Sequence, residues 1–345
     1  MSTALHPLHF RPIYRDYLWG GRRLAEIFHR ELPPGVVAES WEISDRPDGM
    51  SIVDRGPWAG RTLGELVEAL GPALVGSAAG PGRFPLLIKV IDAATRTSLQ
   101  VHPDEAAAAR LGGEPKTEMW YALHGPTGGR VFAGLRAGVD RRAFEEGVRG
   151  GSLEPLLQPA DLEPGEALLM PGGRVHAIDA GCLLLEIQQN SDTTLRVFDW
   201  GRTSPDGIPR PLHLAAALDT IRWDDPPVRV TRPRLLWRRG GNARWKILDG
   251  EHFHVARLDL REELRETHDG RSFHALFVET GRVDVLGGGE TLTLERGESG
   301  LIPAGLQEYR LRPVGEAGTG TAVVIATSMG ARPASDTMDS SVGRE

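Results

Sequence analysis

The sequence predicts a mainly β protein made of two related sandwich or jelly-roll units, with a few short helices inserted in the N-terminal part. Three observations lead there. The 43 glycines and 25 prolines are scattered through 345 residues. Between them lie short apolar or alternating runs such as FPLLIKVIDA, EALLMP, CLLLEIQQ and HALFVETGRVDVLG, the texture of short strands separated by turns. Helical spacing is confined to a few stretches before residue 222. Finally, EPGEALLMPGGRVHAI is echoed later by ERGESGLIPAGLQEYRL, with Gln307 in the second copy where the first has His176.

Four stretches carry helix signals. Residues 63–76 have helical spacing, with Thr62 as N-cap and Glu65 three residues on. Residues 102–112 begin with Pro103 and acids, are rich in alanine and stop at Gly112. Residues 140–151 are capped by Asp140 and end in glycines, and residues 211–221 form a fourth candidate. The proline- and arginine-rich stretch 223–242 reads as an irregular connection. Strands return from Ala243 to about Thr327, with Gly287 to Gly289 as a hairpin tip. The expected organisation is therefore a chemistry-bearing unit over 1–222, a connection over 223–242, a second β unit over 243–330 and a flexible tail over 331–345.

Composition narrows the function classes. Hydrophobic residues make up 40% and charged residues 25%, which fits a globular protein with a real core. The single cysteine, Cys182, rules out a disulfide scaffold and lies in an apolar run, as an inert core thiol would. A net charge of -7 argues against nucleic acid or an anionic membrane as partner. No run has the roughly 18 apolar residues that span a bilayer, and the start MSTALHPLHF lacks a secretory pattern. The expected setting is cytoplasmic. Nothing argues for an obligate assembly, so a monomer or weak homodimer is expected. Only three of the 40 basic residues are lysines: Lys89, Lys116 and Lys246. Arginine cannot release its proton near neutral pH and lysine can, so these three are places to look for proton chemistry. A simple drift toward arginine would leave the same count.

Four residues form a candidate metal shell. Gln100 and His102 sit two apart on an expected strand and so share a face. Glu118 follows beyond the alanine-rich helix, and His176 follows a Pro-Gly-Gly turn. Two imidazoles, a carboxylate and an amide suit zinc, with nickel, cobalt or manganese also compatible. Histidines at barrel mouths also occur without metal. Downstream, the polar run LEIQQNSDTTLRVFDWGR carries Asp192, Arg196 and Arg202. The arginines are placed to hold an anion by forked hydrogen bonds, although an ion pair with Asp192 would be merely structural.

LHFRPIYRDYLWGGRRL, ESWEIS, PLLIKVIDA, SLQVHPD, PKTEMWYAL, GRVHAI and LEIQQNSDTTLRVFDWGR occur in this order. Together they resemble the type I mannose-6-phosphate isomerases in their short bacterial form, from about Leu8 to Arg202 and more weakly beyond. The Asn-His-Lys-Pro-Glu signature of the long form is absent, and KTE stands in its place. The resemblance implies cupin-type jelly rolls and a zinc enzyme, one ion per chain, that interconverts mannose 6-phosphate and fructose 6-phosphate. It implies Gln100, His102, Glu118 and His176 as metal ligands and Arg196 as a catalytic arginine. It also implies Ser98, Lys89 and Lys116 as pocket residues and Arg202 as a second cationic position; Ser98, Lys89 and Arg202 are the candidates to hold the phosphate, with Arg196 a candidate to be shared between phosphate and enediolate.

The reaction moves a proton between two sugar carbons through a cis-enediol(ate), whose developing charge a divalent ion would stabilise. Lys116 is the candidate proton carrier, since a metal ion and nearby arginine favour a neutral lysine. Asp192, positioned by Arg196, is the candidate for ring opening. Rivals are an isomerase or epimerase of another sugar on the same scaffold, a non-catalytic sugar-sensing cupin, and an iron dioxygenase. His6, His9, His29, His124, His213, His268 and His274 read as surface or packing residues. His252 and His254 form an H-x-H pair like those of cupin metal sites, but lack further ligands at useful spacing, so the second unit is expected to be metal-free. Trp19, Trp41, Trp58 and Trp120 read as core packing, with Trp19 and Trp120 able to line a pocket.

Overall fold

The computed structural model describes residues 4–123, 129–203, 206–267, 269–315 and 320–330. The readings of His124, His268 and the tail 331–345 fall outside this set. The chain is mainly β and its strands pair antiparallel into jelly-roll sheets. Near the N-terminal end of the fold, a five-stranded sheet runs in the order Leu157–Leu162, Gly129–Leu135, His176–Ile178, Leu99–Val101, Leu195–Phe198. Facing it is a six-stranded sheet in the order Ala167–Met170, Glu118–Ala122, Cys182–Gln189, Leu86–Ala93, Glu39–Ile43, Ile13–Arg15. A seven-stranded sheet and a four-stranded sheet, built mainly from residues 234–329, form a second pair. The short strand Leu8–His9 joins the edge of the seven-stranded sheet by pairing with Gly300 and Leu301.

The six-stranded sheet is buried on both faces, which is why its strands read as continuous apolar runs rather than alternating ones. Ile88, Val90, Met119, Tyr121, Leu185 and Ile187 point to a core shared with Phe253, Val255, Phe277 and Ile325 of the seven-stranded sheet. The alternate residues Ile91, Trp120, Ala122 and Leu184 point the other way, into the core beneath the five-stranded sheet. Each such side chain removed from water contributes about 1.5–3 kcal/mol. The outer face of the five-stranded sheet is covered by the helices Arg141–Gly150 and Leu214–Thr220 through Phe144, Ala217 and Leu218.

The helices follow their sequence signals with three differences. Thr62 and Glu65 form the expected capping box, but the helix stops at Leu70 because Gly71 takes φ 47, and Pro72 starts a separate turn, Pro72–Val75. The alanine-rich helix runs Glu105–Leu111 with Asp104 as N-cap, since Asp104 accepts from the Ala107 N–H and leaves Pro103 outside. The helix Arg23–Phe28 carries no capping side chain and no sequence signal; Asp92 holds its start by accepting from the Arg23 N–H and Nε at 2.7 Å each. Within the stretch read as irregular, Arg234–Arg239 is a strand. It lies at a sheet edge with most of its side chains exposed, so no inward face imposed an alternation on the sequence.

The internal echo is a shared turn. Glu163-Pro164-Gly165-Glu166 and Glu295-Arg296-Gly297-Glu298 each close with a backbone bond of 2.9 and 3.0 Å. In each, the last glutamate also accepts from the first residue's N–H at 3.0 Å. The third position needs positive φ, 88° at Gly165 and 84° at Gly297. Gly288 and Gly289, at φ 62 and 82, make the expected hairpin tip.

At Gly297 a Cβ would lie 2.5 Å from Phe28 Cγ, whereas at Gly181, φ 93, it would meet nothing within 4 Å. Gly181→Ala should therefore cost about 1 kcal/mol of backbone strain, and Gly297→Ala about 2–4 kcal/mol because strain and a clash combine. Urea unfolding of both variants checks this, and equal losses would refute it.

Candidate metal centre and substrate pocket

Strand register brings the polar residues together. In the five-stranded sheet, Gln100 lies opposite Arg196 on one side and His176 on the other. In the six-stranded sheet, Lys89 lies opposite Glu186 and Trp41, and Glu186 opposite Trp120. Directly opposed residues share a face, so one polar row crosses each sheet. The neighbouring residues Leu99 and Val101 point outward into the helix-covered core, which turns Gln100 inward. His102 follows just past the strand end.

His102, Glu118 and His176 are each about 1% exposed, and their ligating atoms lie within 4.8 Å of one another. His102 Nδ1 donates to the Thr193 carbonyl at 2.9 Å and His176 Nδ1 to the Arg174 carbonyl at 2.8 Å. These bonds fix the tautomer, leaving both Nε2 lone pairs directed at the carboxylate. His102 Nε2 is 3.4 Å from Glu118 Oε2, and His176 Nε2 is 3.4 Å from Oε1. Burial pushes the His102 imidazolium down to about 3, with the Lys116 charge acting in the same direction, and burial also lowers His176. Two imidazole lone pairs thus face a carboxylate whose neighbouring cation is Lys116, 3.2 Å from Oε2. Acceptors facing acceptors in a dry site are reconciled by a cation. Gln100 lies beside this triad, with its amide nitrogen 3.3 Å from His176 Nε2. The donors present therefore fit a divalent ion.

Around the triad is a dense buried charge cluster. Lys116 Nζ is 3.2 Å from His102 Nε2 and 3.2 Å from Glu118 Oε2. Lys89 Nζ sits between Glu186 at 3.1 Å and Glu39 at 3.3 Å. Burial disfavours its ammonium, but Glu186 and then Glu39 outweigh burial and raise its pKa. The Glu186 carboxyl is pushed up to about 7, by burial first and by Glu118 next. Burial also disfavours the Glu118 carboxylate, yet Lys116 and both histidines hold it far below the usual carboxylate range. The indoles of Trp41 and Trp120 donate to Glu39 at 2.7 Å and to Glu186 at 3.0 Å.

Above the cluster opens a cavity of 270 Å³, with Gln100, Lys116 and Glu186 in its lining and the triad itself beneath. Ser98, Lys89, Asp192 and Arg196 also line it. The structure thus brings nine of the ten sequence candidates to one place. Arg202 is the exception. It bonds Asp199 at 2.6 Å and the Arg96 carbonyl, and faces a neighbouring cavity instead. The suggested ion pair of Asp192 with the arginines is not formed: among the described residues the acid paired with Arg202 is Asp199, and Arg196 donates to the Pro211 carbonyl.

Sequence reasoning missed Glu39, Glu186, Tyr17 and Arg210, all of which line the cavity. ESWEIS and LLLEIQQ contained the signal for the first two, since an acid within a strand buried on both faces needs a partner. Trp19 lines the cavity, while Trp58 packs on His6 at 4.5 Å. Cys182 is buried, and burial pushes its thiol up to about 12. His254 pairs with Asp249 at 2.6 Å and His252 lies 3.6 Å from Glu105, so the two rings meet different carboxylates.

Comparison with known proteins gives a consistent picture. The model of the phosphomannose isomerase type I catalytic domain matches residues 8–127. The mannose-6-phosphate isomerase ManA of Bacillus subtilis (strain 168) is 32% identical over 312 residues, covering 90% of this chain and 97% of that protein. The mannose-6-phosphate isomerase of Streptococcus mutans is 35% identical over 221 residues, 64% of this chain and 69% of that protein. The crystal structure of the mannose 6-phosphate isomerase from Bacillus subtilis superimposes with a TM-score of 0.83 at 30% identity, covering 93% of this chain and 99% of that one.

If Glu118 is the anionic member of the shell, Zn²⁺ added to chelated protein should raise its unfolding midpoint. An ion at 100 times its dissociation constant stabilises by about 2.7 kcal/mol. Glu118→Gln should abolish that gain, and an equal rise in the variant would remove Glu118 from the shell.

Proposed function

Because the chain belongs to the type I phosphomannose isomerases, we propose that it interconverts mannose 6-phosphate and fructose 6-phosphate through a cis-enediol(ate) in a zinc-dependent reaction. Gln100, His102, Glu118 and His176 would hold one zinc ion per chain. Such an ion stabilises negative charge developing on sugar oxygens beside it, as a Lewis acid.

The remaining work falls to the chain's own side chains. Lys116 reaches both the buried triad and the cavity, and takes the proton from one sugar carbon and returns it to the neighbouring one at Nζ. The observation that carries this reading is the double contact of Lys116 with His102 and Glu118, each at 3.2 Å, on a wall of the cavity. Asp192, exposed at the rim, is placed to exchange a proton with the ring oxygen and open the sugar. Arg196 and Ser98 face the phosphate end. Lys89 is tied to Glu39 and Glu186 and acts through its charge, as does Arg202 from behind Asp199. The partner is a small sugar phosphate, not a nucleic acid or a membrane, and we place the protein in the cytoplasm as a monomer or weak homodimer, with its catalytic unit in residues 1–222. No helix among the described residues is long and apolar enough to cross a membrane.

Lys116→Met should lower turnover of mannose 6-phosphate by about 10²–10⁴-fold while zinc content stays at one per chain. Normal turnover in that variant would reject the assignment. Chelation should abolish wild-type activity and zinc restore it; a metal-free enzyme of equal speed would reject the metal. Free mannose, assayed alongside, tests whether the phosphate is required.

A further inference from the structure

Arg196 and Arg202, both singled out from the sequence, are joined in the structure by Arg210, which the sequence did not reveal. Asp199 is buried and holds two guanidinium groups at once. Arg210 binds it through Nε at 2.8 Å and Nη2 at 2.6 Å, and Arg202 binds it through Nη2 at 2.6 Å. Arg196 has no carboxylate partner among the described residues, and its Nε is buried without any hydrogen bond. Three guanidinium groups and one carboxylate leave two positive charges in excess. Arg210 and Arg196 both line the cavity, while Arg202 does not.

The two cavity arginines are also held in mutual position. Arg196 Nη1 donates to the Pro211 carbonyl at 2.9 Å. The Arg196 N–H donates to His213 Nδ1 at 3.1 Å, and the His213 N–H donates back to the Arg196 carbonyl at 2.7 Å. The segment 210–213 is thereby stapled along the strand that carries Arg196. Burial first, and the nearby Arg210 next, lower the Arg196 pKa, as expected of cations held together awaiting an anion. At the other end of the cavity Glu39 and Glu186 are balanced by Lys89 and Lys116, so the uncompensated positive charge that a dianion would meet lies at the arginine end.

We propose that Arg210, oriented by the Asp199 clamp, is a direct binding residue for the phosphate group of the substrate, paired with Arg196, and that Asp199 is the positioning residue for this subsite. The assignment rests on the sugar-phosphate reading above. The Asp199 fork occupies Nε and one terminal nitrogen of Arg210 and leaves its other terminal nitrogen to donate. Arg202 braces the same carboxylate from behind.

The test uses the full-length zinc-loaded enzyme, with inorganic phosphate as probe, read both as a competitive inhibitor and by calorimetry. Arg210→Ala should raise KM for mannose 6-phosphate and weaken phosphate binding by about tenfold or more, with kcat changed less than about threefold. Arg210→Lys, which keeps the charge but loses the fork, should recover only part of this. Asp199→Asn separates positioning from bulk charge by its sign. Removing a negative charge should tighten phosphate binding if only the field matters; loss of the clamp should weaken it by about three- to tenfold. Zinc content and unfolding midpoint identify any variant that has failed to fold, and Arg210→Lys then carries the test alone. Unchanged phosphate affinity in Arg210→Ala, or tighter binding in Asp199→Asn, overturns the proposal. Arg210-dependent phosphate binding by a protein inactive on mannose 6-phosphate would sustain the subsite and sink the functional reading. Turnover with phosphate affinity indifferent to Arg210 would do the reverse.

Discussion

The Glu118 carboxylate is the constraint on which the rest depends. It is buried, it faces two imidazole lone pairs at 3.4 Å, and the cation beside it is Lys116. Without a partner, a buried charge of this kind would cost several kcal/mol. The fold tolerates it because Lys116 lies at 3.2 Å and because the surrounding lone pairs make a seat for a cation. The cluster Glu39, Lys89, Glu186, Lys116 and Glu118 carries three acids against two lysines, so it too accommodates added positive charge. Structural pairing and readiness for a metal are here the same arrangement.

That arrangement is possible because a polar row faces another across the first sandwich. Hydrogen-bonded register places Arg196, Gln100 and His176 side by side, and places Trp41, Lys89, Glu186 and Trp120 side by side on the facing sheet. A slip of one residue would turn every one of these side chains into an apolar core. The apolar alternates Ile88, Val90, Leu185 and Ile187, packed against the second sandwich, resist such a slip. On this account the second unit contributes to the site by covering the back of the sheet that carries half of it.

Much of this was legible beforehand, for identifiable reasons. Turn glycines and prolines marked the strands, and the repeated Glu-x-Gly-Glu turn marked two related units. The candidate ligands stood out because histidine, glutamate and glutamine interrupt apolar runs at strand ends. Other motif residues proved to be scaffolding. Asn190 donates to the carbonyls of Asp45 and Phe84, Gln188 to that of Ser191, and Ser191 to that of Glu114, which together brace the loop leading to Lys116 and Glu118. Nothing local distinguishes a side chain that braces a loop from one that meets a substrate. The reverse failure occurred at Arg210, which lies in an irregular proline-rich segment. Its place at the cavity follows from the Asp199 fork and the pairing of His213 with Arg196, contacts that no periodicity encodes. The strand Arg234–Arg239 was hidden for a related reason, since an exposed edge imposes no pattern.

We propose above that Gln100, His102, Glu118 and His176 enclose one divalent ion. Anomalous diffraction at the zinc edge from crystals of active enzyme tests it most directly. One peak per chain, at about 2.0–2.2 Å from the Nε2 atoms of His102 and His176 and a Glu118 oxygen, is the predicted result. Crystals of fully active enzyme with no peak there, or with the ion seated among other side chains, would contradict it.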